Sequence, residues 1–359
     1  MTIPLSSHRL IRAFLRQPVD MTPIWLMRQA GRYLPEYRKL REKAGDFLTL
    51  CKTPELACEI TLQPLQRFDL DGAIIFSDIL TIPDAMGLGL EFVHQEGPQF
   101  RMPVRQREDI EKLPIPDPEI ELSYVMDTIR LVKSSLKNRL PVLGFSGSPW
   151  TLAAYMIEGR GKTEFPYARK MLYQNPGDLH LLLEKLAASI TLYLNAQIKA
   201  GVDAVMIFDT WGGLLSTEKY AAFSLAYIKK IIANLNCCSS SRQIPVILFT
   251  KQGGQWLELM LTSGCHVLGI DWTCELSAAK KRVGHAAALQ GNLDPLVLSS
   301  SPPIIEKEVE KILSDFGPYP GHIFNLGHGV PQDTPFENID ILVNTVHRLS
   351  KVYHSHAPD

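Results

Sequence analysis

The sequence predicts an α/β protein built as one closed (β/α)₈ barrel with a β-hairpin inserted in the second βα loop. Three observations predict it. Eight short apolar runs recur along the 359 residues. Helix-length amphipathic segments separate them. No run is followed by the complete glycine-rich loop of a dinucleotide-binding sheet, since the nearest, Gly87-Leu-Gly-Leu-Glu-Phe92, lacks its third glycine. Length alone suggests two domains, but α/β barrels exceed that prior as one. The expected unit is therefore 1–359, with a tail that frays from about 351.

The runs begin at Thr22 (TPIWLM), Gly72 (GAIIFSD), Pro141 (PVLGFSG), Asp203 (DAVMIFDT), Pro245 (PVILFT), His266 (HVLGID), His285 (HAAALQGN) and Gly321 (GHIFNLG). Continuous apolar runs of this length are what strands buried on both faces of a parallel sheet look like. Between them, ELACEITLQPLQRF follows a Thr53-Pro54 pair that reads as a helix start. Asp178 to Ala200 carries leucines and isoleucines at three- and four-residue spacing and stops at Gly201. The stretch after Ser216 repeats that pattern. Gly87 to Val104 alternates around Glu96-Gly97-Pro98 and reads as a hairpin over the barrel mouth, followed by the proline-rich KLPIPDPE.

Composition narrows the function. With 37 basic and 38 acidic residues the net charge is −1, which disfavours nucleic acid and membrane surfaces as partners. The amino terminus has no signal-peptide core and no apolar run spans a bilayer, so the expected location is the cytoplasm. Six cysteines without a C-x-x-C pair argue against a disulfide scaffold or a structural zinc. Cys265-His266 sits in an alternating strand and reads as buried.

In a barrel, chemistry sits at the carboxyl ends of the strands. The residues there are polar at every strand, although strand-ending Asp, Ser and Asn also cap helices. Met27 to Lys43 carries six basic residues against two acidic ones, an excess of four in a neutral chain. Arg38 to Lys43 reads as a solvated helix face. Arg28 and Arg32 flank Ala30-Gly31 at a strand end, where guanidinium groups suit bidentate binding of an anion or polyanion. Asp78 ends the most hydrophobic run. Burial raises such a carboxyl and arginines lower it, and the sequence does not say which wins. Gly144 to Gly159 lacks the last glycine of a nucleophile elbow. Ser148-Pro149 reads instead as a helix cap with Tyr155 in the first or second turn. Thr210 offers a hydroxyl, Lys251 stands where Schiff-base lyases keep their lysine, and His328 lies between glycines that permit close approach to a ligand.

At these residues the sequence resembles the uroporphyrinogen decarboxylase family. The resemblance rests on MRQAGRYLPEYR (Met27), GAIIFSDIL (Gly72), GFSGSPWTLAAYM (Gly144), IFDTWGG (Ile207), ALQGNLDP (Ala288) and FNLGHGV (Phe324), in order over nearly the whole chain. The first string is highly specific; any other alone is weak. The resemblance implies a single barrel, a homodimer with facing clefts, no metal or organic cofactor, and a polyanionic tetrapyrrole substrate. It places the substrate-binding segment on Arg28, Gln29, Ala30, Gly31 and Arg32, the essential acid on Asp78, and further contacts on Tyr155, Thr210 and His328. Thr210 is serine in some relatives. The implied reaction turns the four acetate groups of uroporphyrinogen III into methyls, giving coproporphyrinogen III and carbon dioxide. Protonating a pyrrole carbon makes the ring its own electron sink, and a carboxylate stabilises that cation. Asp78 is the candidate, with Arg28 beside it; the proton donor stays open between Arg28 and His328. Three rivals remain: a corrinoid-dependent methyltransferase of the same superfamily, a Schiff-base lyase using Lys251, and a tetrapyrrole carrier on an inactive barrel. The methyltransferase needs a His and two Cys near the last strands, and no cysteine follows Cys274.

Overall fold

The computed structural model describes residues 7–93, 96–161, 164–239 and 242–354. Its strands in chain order are β1 (Ala73–Ile74), β2 (Leu90–Val93), β3 (Gly97–Phe100), β4 (Val142–Gly147), β5 (Ala204–Asp209), β6 (Cys238–Ser239), β7 (Arg242–Gln243), β8 (Val246–Thr250), β9 (Val267–Gly269), β10 (Ala288–Gln290) and β11 (His322–Ile323). Seven of them form one sheet in the order β1-β4-β5-β8-β9-β10-β11, every pairing parallel. Parallel neighbours need crossovers, and helices supply them on the outside.

The first apolar run is expected to be a strand, and it is a much looser one. Thr22–Met27 makes a single parallel bridge, Ile24 to Phe324. It is nevertheless the stave that closes the ring. The Phe324 N–H donates to the Pro23 carbonyl at 2.8 Å on one side, and the Asp71 N–H donates to the Ile24 carbonyl at 2.8 Å on the other. Side chains complete what the backbone ladder omits. The Ile24 N–H donates to Asp71 Oδ2 at 2.8 Å, Arg9 Nη1 donates to Asp71 Oδ1 at 2.8 Å, and His347 Nε2 lies 2.9 Å from Oδ2. One buried carboxylate thus joins the first stave to the first and last long helices. Inside the barrel, Trp25 Nε1 donates to Gln290 Oε1 at 2.9 Å.

The helices follow their sequence signals with two qualifications. Pro54–Arg67 starts with proline as expected, but Thr53 makes no side-chain cap. Pro176–Ala200 ends on Gly201, whose φ of 116° lies where a side chain is strained. Its leucines at 179, 182, 183 and 186 are fully buried, each such side chain contributing about 1.5–3 kcal/mol. After Ser216, which accepts from the Lys219 N–H, the helix Thr217–Tyr220 passes through a π-turn at Ala221–Leu225 before Ala226–Ala233.

The hairpin exists as β2 paired with β3, but its turn is shifted. Gly97 pairs with Val93 and Pro98 with Phe92, so both lie in the strand rather than at the tip. The two strands are joined through residues 94–96, of which 94–95 lie outside the described residues. The hairpin docks on the end of the helix Pro149–Glu158: the Phe100 N–H donates to the Gly159 carbonyl at 2.7 Å, and Val104 to Met156 at 2.9 Å. At the other end of the chain the tail stays docked through His354. Thr22 Oγ1 lies 3.0 Å from His354 Nε2, and the Thr22 N–H donates to Ser350 Oγ. Residues 355–359 of the expected tail lie outside the described residues.

Candidate active site

The carboxyl ends of the staves converge on one cleft. Arg28 follows the first stave on a tight turn closed by the Gln29 N–H to the Leu26 carbonyl at 3.0 Å. Arg28 itself has φ of 56°, in the left-handed region sparsely used by residues with a Cβ. That backbone is held from outside the turn. The Met27 N–H donates to Asn325 Oδ1 at 3.0 Å, and the Val330 N–H donates to the Met27 carbonyl at 3.0 Å. The Arg28 guanidinium is exposed to the cleft. Arg32 is exposed too, and its Nη1 donates to Gln332 Oε1 at 3.0 Å.

Asp78 stands four residues beyond β1. One oxygen is used locally, Oδ1 accepting the Leu80 N–H at 2.8 Å. The capping reading accounts for that oxygen and leaves Oδ2 for a ligand. Surrounding protein raises the Asp78 carboxyl, while the Leu80 N–H and the Arg28 charge lower it; burial prevails.

Tyr155 sits in the second turn of Pro149–Glu158, a helix whose Ser148 cap accepts the Thr151 N–H at 3.1 Å. Burial pushes its phenol up, the Trp211 side chain hydrogen-bonded to it pulls it back, and the Asp78 and Arg28 charges act up and down respectively. Its ring meets those of Phe165 and Trp211 edge-on, at 5.3 and 6.3 Å. Thr210, half-buried, and Trp211 follow β5 directly. His328 lies 6.3 Å from the Phe249 ring. Burial, then the Arg28 and Lys251 charges, hold its imidazole down to about 4, so it is neutral near pH 7. That removes the imidazolium form as a resting proton store.

The Arg28 charge acts on Asp78, Tyr155 and His328, and Asp78 acts on Tyr155. Gln29 is placed elsewhere. Its side chain is fully buried, Oε1 accepting the Leu26 N–H at 3.2 Å and Nε2 donating to the Gly72 carbonyl at 3.1 Å. That side-chain amide ties the first stave to the second. Ala30 packs partly against the core, and a Cβ at Gly31 would meet only the Arg28 carbonyl at 3.7 Å and Tyr33 at 3.9 Å. The glycines around His328 also differ from expectation. A Cβ at Gly327 would stand 2.5 Å from the Trp272 nitrogen, and one at Gly329 would stand 2.5 Å from Arg28 Cδ. They admit protein, not ligand.

Asp209 is a buried carboxylate without a cation. It accepts from the hydroxyls of Ser148 (2.5 Å), Thr151 (3.2 Å), Ser224 (2.8 Å) and Thr250 (3.5 Å). Thr151 Oγ1 in turn accepts the Trp211 N–H at 3.2 Å, and Trp150 Nε1 donates to the Trp211 carbonyl at 3.0 Å. This lattice fixes the loop that presents Thr210 and Trp211, and an isolated strand-ending Asp gave no signal of it. Among the described residues no group of three or more His, Cys, Asp or Glu side chains is placed to hold a metal ion. His266 is occupied, Nδ1 accepting the Val246 N–H at 3.1 Å and Nε2 lying 2.8 Å from Gln243 Nε2. Among the described residues no helix is long and apolar enough to cross a membrane.

A parallel barrel with a carboxylate, an arginine, a phenol and a neutral imidazole around one mouth is an α/β-barrel enzyme that handles an anionic ligand. The chain belongs to the uroporphyrinogen decarboxylase family: the sequence model described as Uroporphyrinogen decarboxylase (URO-D) matches residues 5–349. It is 59% identical over 351 residues to the uroporphyrinogen decarboxylase of Salmonella paratyphi A (strain ATCC 9150 / SARB42), covering 98% of this chain and 99% of that one. It is 59% identical over 350 residues, with the same coverage, to that of Shigella dysenteriae serotype 1 (strain Sd197). Among solved structures it is similar to a methyltransferase from Methanosarcina mazei, with a TM-score of 0.80, 20% identity, and 96% and 98% of the two chains covered. At that identity the likeness shows the fold alone.

Proposed function

We propose that the chain decarboxylates the acetate side chains of uroporphyrinogen to give coproporphyrinogen and carbon dioxide, with Asp78 as the group that stabilises the reacting ring. Membership of the family supports the reaction. The observation that carries the role of Asp78 is its carboxylate, held at a strand end by one N–H with Oδ2 left over and facing the Arg28 charge.

In this reading Arg28 and Arg32 take carboxylates of the macrocycle. Oδ2 of Asp78 accepts inward-pointing pyrrole N–H groups. When a ring carbon is protonated the ring becomes cationic, and a carboxylate already in place stabilises it without reorganisation. The carbon–carbon bond to the acetate carboxylate then breaks, and its electron pair forms an exocyclic methylene and neutralises the ring as carbon dioxide leaves. Protonation of that methylene gives the methyl, and loss of the proton from the ring carbon restores the pyrrole. Tyr155, Thr210 and His328 complete the polar rim. His328 does so as a neutral hydrogen-bonding group. The same reading carries a homodimer with facing clefts and a cytoplasmic location, which sedimentation and cell fractionation test.

The deciding experiment is anaerobic incubation with uroporphyrinogen III without added metal or cofactor, followed by product analysis. Coproporphyrinogen is expected, and Asp78→Asn is expected to lower kcat at least about 100-fold, the scale of losing a preorganised electrostatic contact. Unchanged turnover in Asp78→Asn would end its assigned role.

A further inference from the structure

One cation at the mouth, Lys251, has no role in the proposed decarboxylation. Lys251 directly follows β8. In the ring that starts from Thr22–Met27 and runs through β1, β4, β5 and β8, that strand is the fifth stave of eight. It therefore stands across the barrel from the first stave, which carries Arg28. Both cations act on the His328 imidazole, so both face the same cleft.

The surroundings of Lys251 suit a ligand. Its Nζ lies 5.9 Å from the Trp211 ring and 5.8 Å from the Trp272 ring, so the two indoles hold the ammonium between them. Among the described residues no carboxylate pairs with it. Asp271, at the next strand end, is occupied by the Gln252 N–H and by the N–H and hydroxyl of Thr273. Trp272 exposes 38% of its surface at the mouth, an apolar face for a large flat ligand. An ammonium held by two indoles and paired with no carboxylate among the described residues is a receptor for one carboxylate.

We propose that Lys251 binds a carboxylate on the edge of the macrocycle opposite the edge held by Arg28 and Arg32. This rests on the proposed decarboxylation of uroporphyrinogen. That substrate carries carboxylates around its whole rim, so a cleft with cations on one side alone leaves the far edge uncompensated. Lys251 is then a binding residue and not a Schiff-base nucleophile.

The test compares wild type, Lys251→Met, Lys251→Gln and Lys251→Arg, using uroporphyrinogen turnover and equilibrium titration with uroporphyrin, read by tryptophan emission. The expected result is a rise of about tenfold or more in KM and in Kd for the Met and Gln variants, the scale of a lost charge-assisted hydrogen bond. Their kcat stays within about threefold, and Lys251→Arg recovers most of the affinity. Unchanged KM and Kd in both neutral variants would overturn the proposal. So would a lowered melting temperature with unchanged Kd, which marks a purely structural clamp on the two tryptophans. Trapping of a substrate adduct on Lys251 by borohydride would overturn it in favour of the nucleophile. Absence of turnover in the wild type would instead reject the proposed function, and the uroporphyrin titration would still decide whether Lys251 binds the polycarboxylate.

Discussion

The Arg28 side chain lies flat along the backbone of Gly329, so close that a Cβ at 329 would stand 2.5 Å from Cδ, 2.8 Å from Cγ and 3.1 Å from Cβ of the arginine. The last loop of the barrel is thus the wall that aims the first loop's guanidinium. Gly329→Ala is expected to push Arg28 out of position. Relieving that overlap costs about 1–3 kcal/mol in a packed site. We expect kcat/KM for uroporphyrinogen to fall about tenfold or more, with a melting shift of only a few degrees. Unaltered kcat/KM would mean that Arg28 is not aimed by this contact.

Asp78 invites a stability measurement alongside the kinetic one. Burial raises its carboxyl in the folded state, so ionisation opposes folding. The stability that this group contributes is present below the ordinary carboxylate range and is lost as pH rises through the raised value. Asn removes the charge while its carbonyl still accepts the Leu80 N–H. Asp78→Asn is therefore expected to melt at the same or a higher temperature than wild type at pH 7, despite its lost turnover. A clear drop in melting temperature would show that the carboxylate is a structural group.

The barrel was legible because buried parallel strands are continuous apolar runs, and seven of the eight gave sheet strands. The eighth, Thr22–Met27, has an equally apolar sequence but closes the ring mostly through side chains, Asp71 and Gln29 among them. Apolar periodicity carries no record of that substitution. Arg28, Asp78 and His328 were singled out because strand ends place polar groups at the mouth, and Tyr155 by the family resemblance. The Gln29 side chain turns into the core because the same stretch of chain alternates between cleft and core within one residue. Gly329 was misread because a glycine's open side does not say whether ligand or protein fills it.

Asp209 shows the converse, a strand-end carboxylate that serves the fold. Asp209→Ala would leave the hydroxyls of Ser148, Thr151, Ser224 and Thr250 without their common acceptor in a buried site. The expected cost is about 3–5 kcal/mol in urea unfolding, the scale of breaking a buried polar network. Asn keeps one acceptor oxygen, so Asp209→Asn is expected to lose less than half as much. Equal losses in the two variants would show that the charge, not the acceptor, holds the Thr210–Trp211 loop.

His328 sets the pH behaviour of the cleft. Its imidazole titrates at about 4 in the folded chain, against the ordinary 6.5, because burial and the Arg28 and Lys251 charges all disfavour the cation while Asp271 favours it weakly. Between those values the unfolded chain binds a proton that the folded chain does not, so stability falls as pH drops through the window. One such group gives a slope approaching about 1.4 kcal/mol per pH unit. His322, buried against the Gly291 carbonyl and also held at about 4, adds a second of the same sign. His328→Asn should therefore remove part of the loss between pH 7 and 4.5 and leave the share of His322. Urea midpoints of both proteins at the two pH values measure this directly. An identical pH dependence would mean that His328 is already protonated in the native cleft, and with that its role as a neutral hydrogen-bonding group would fall.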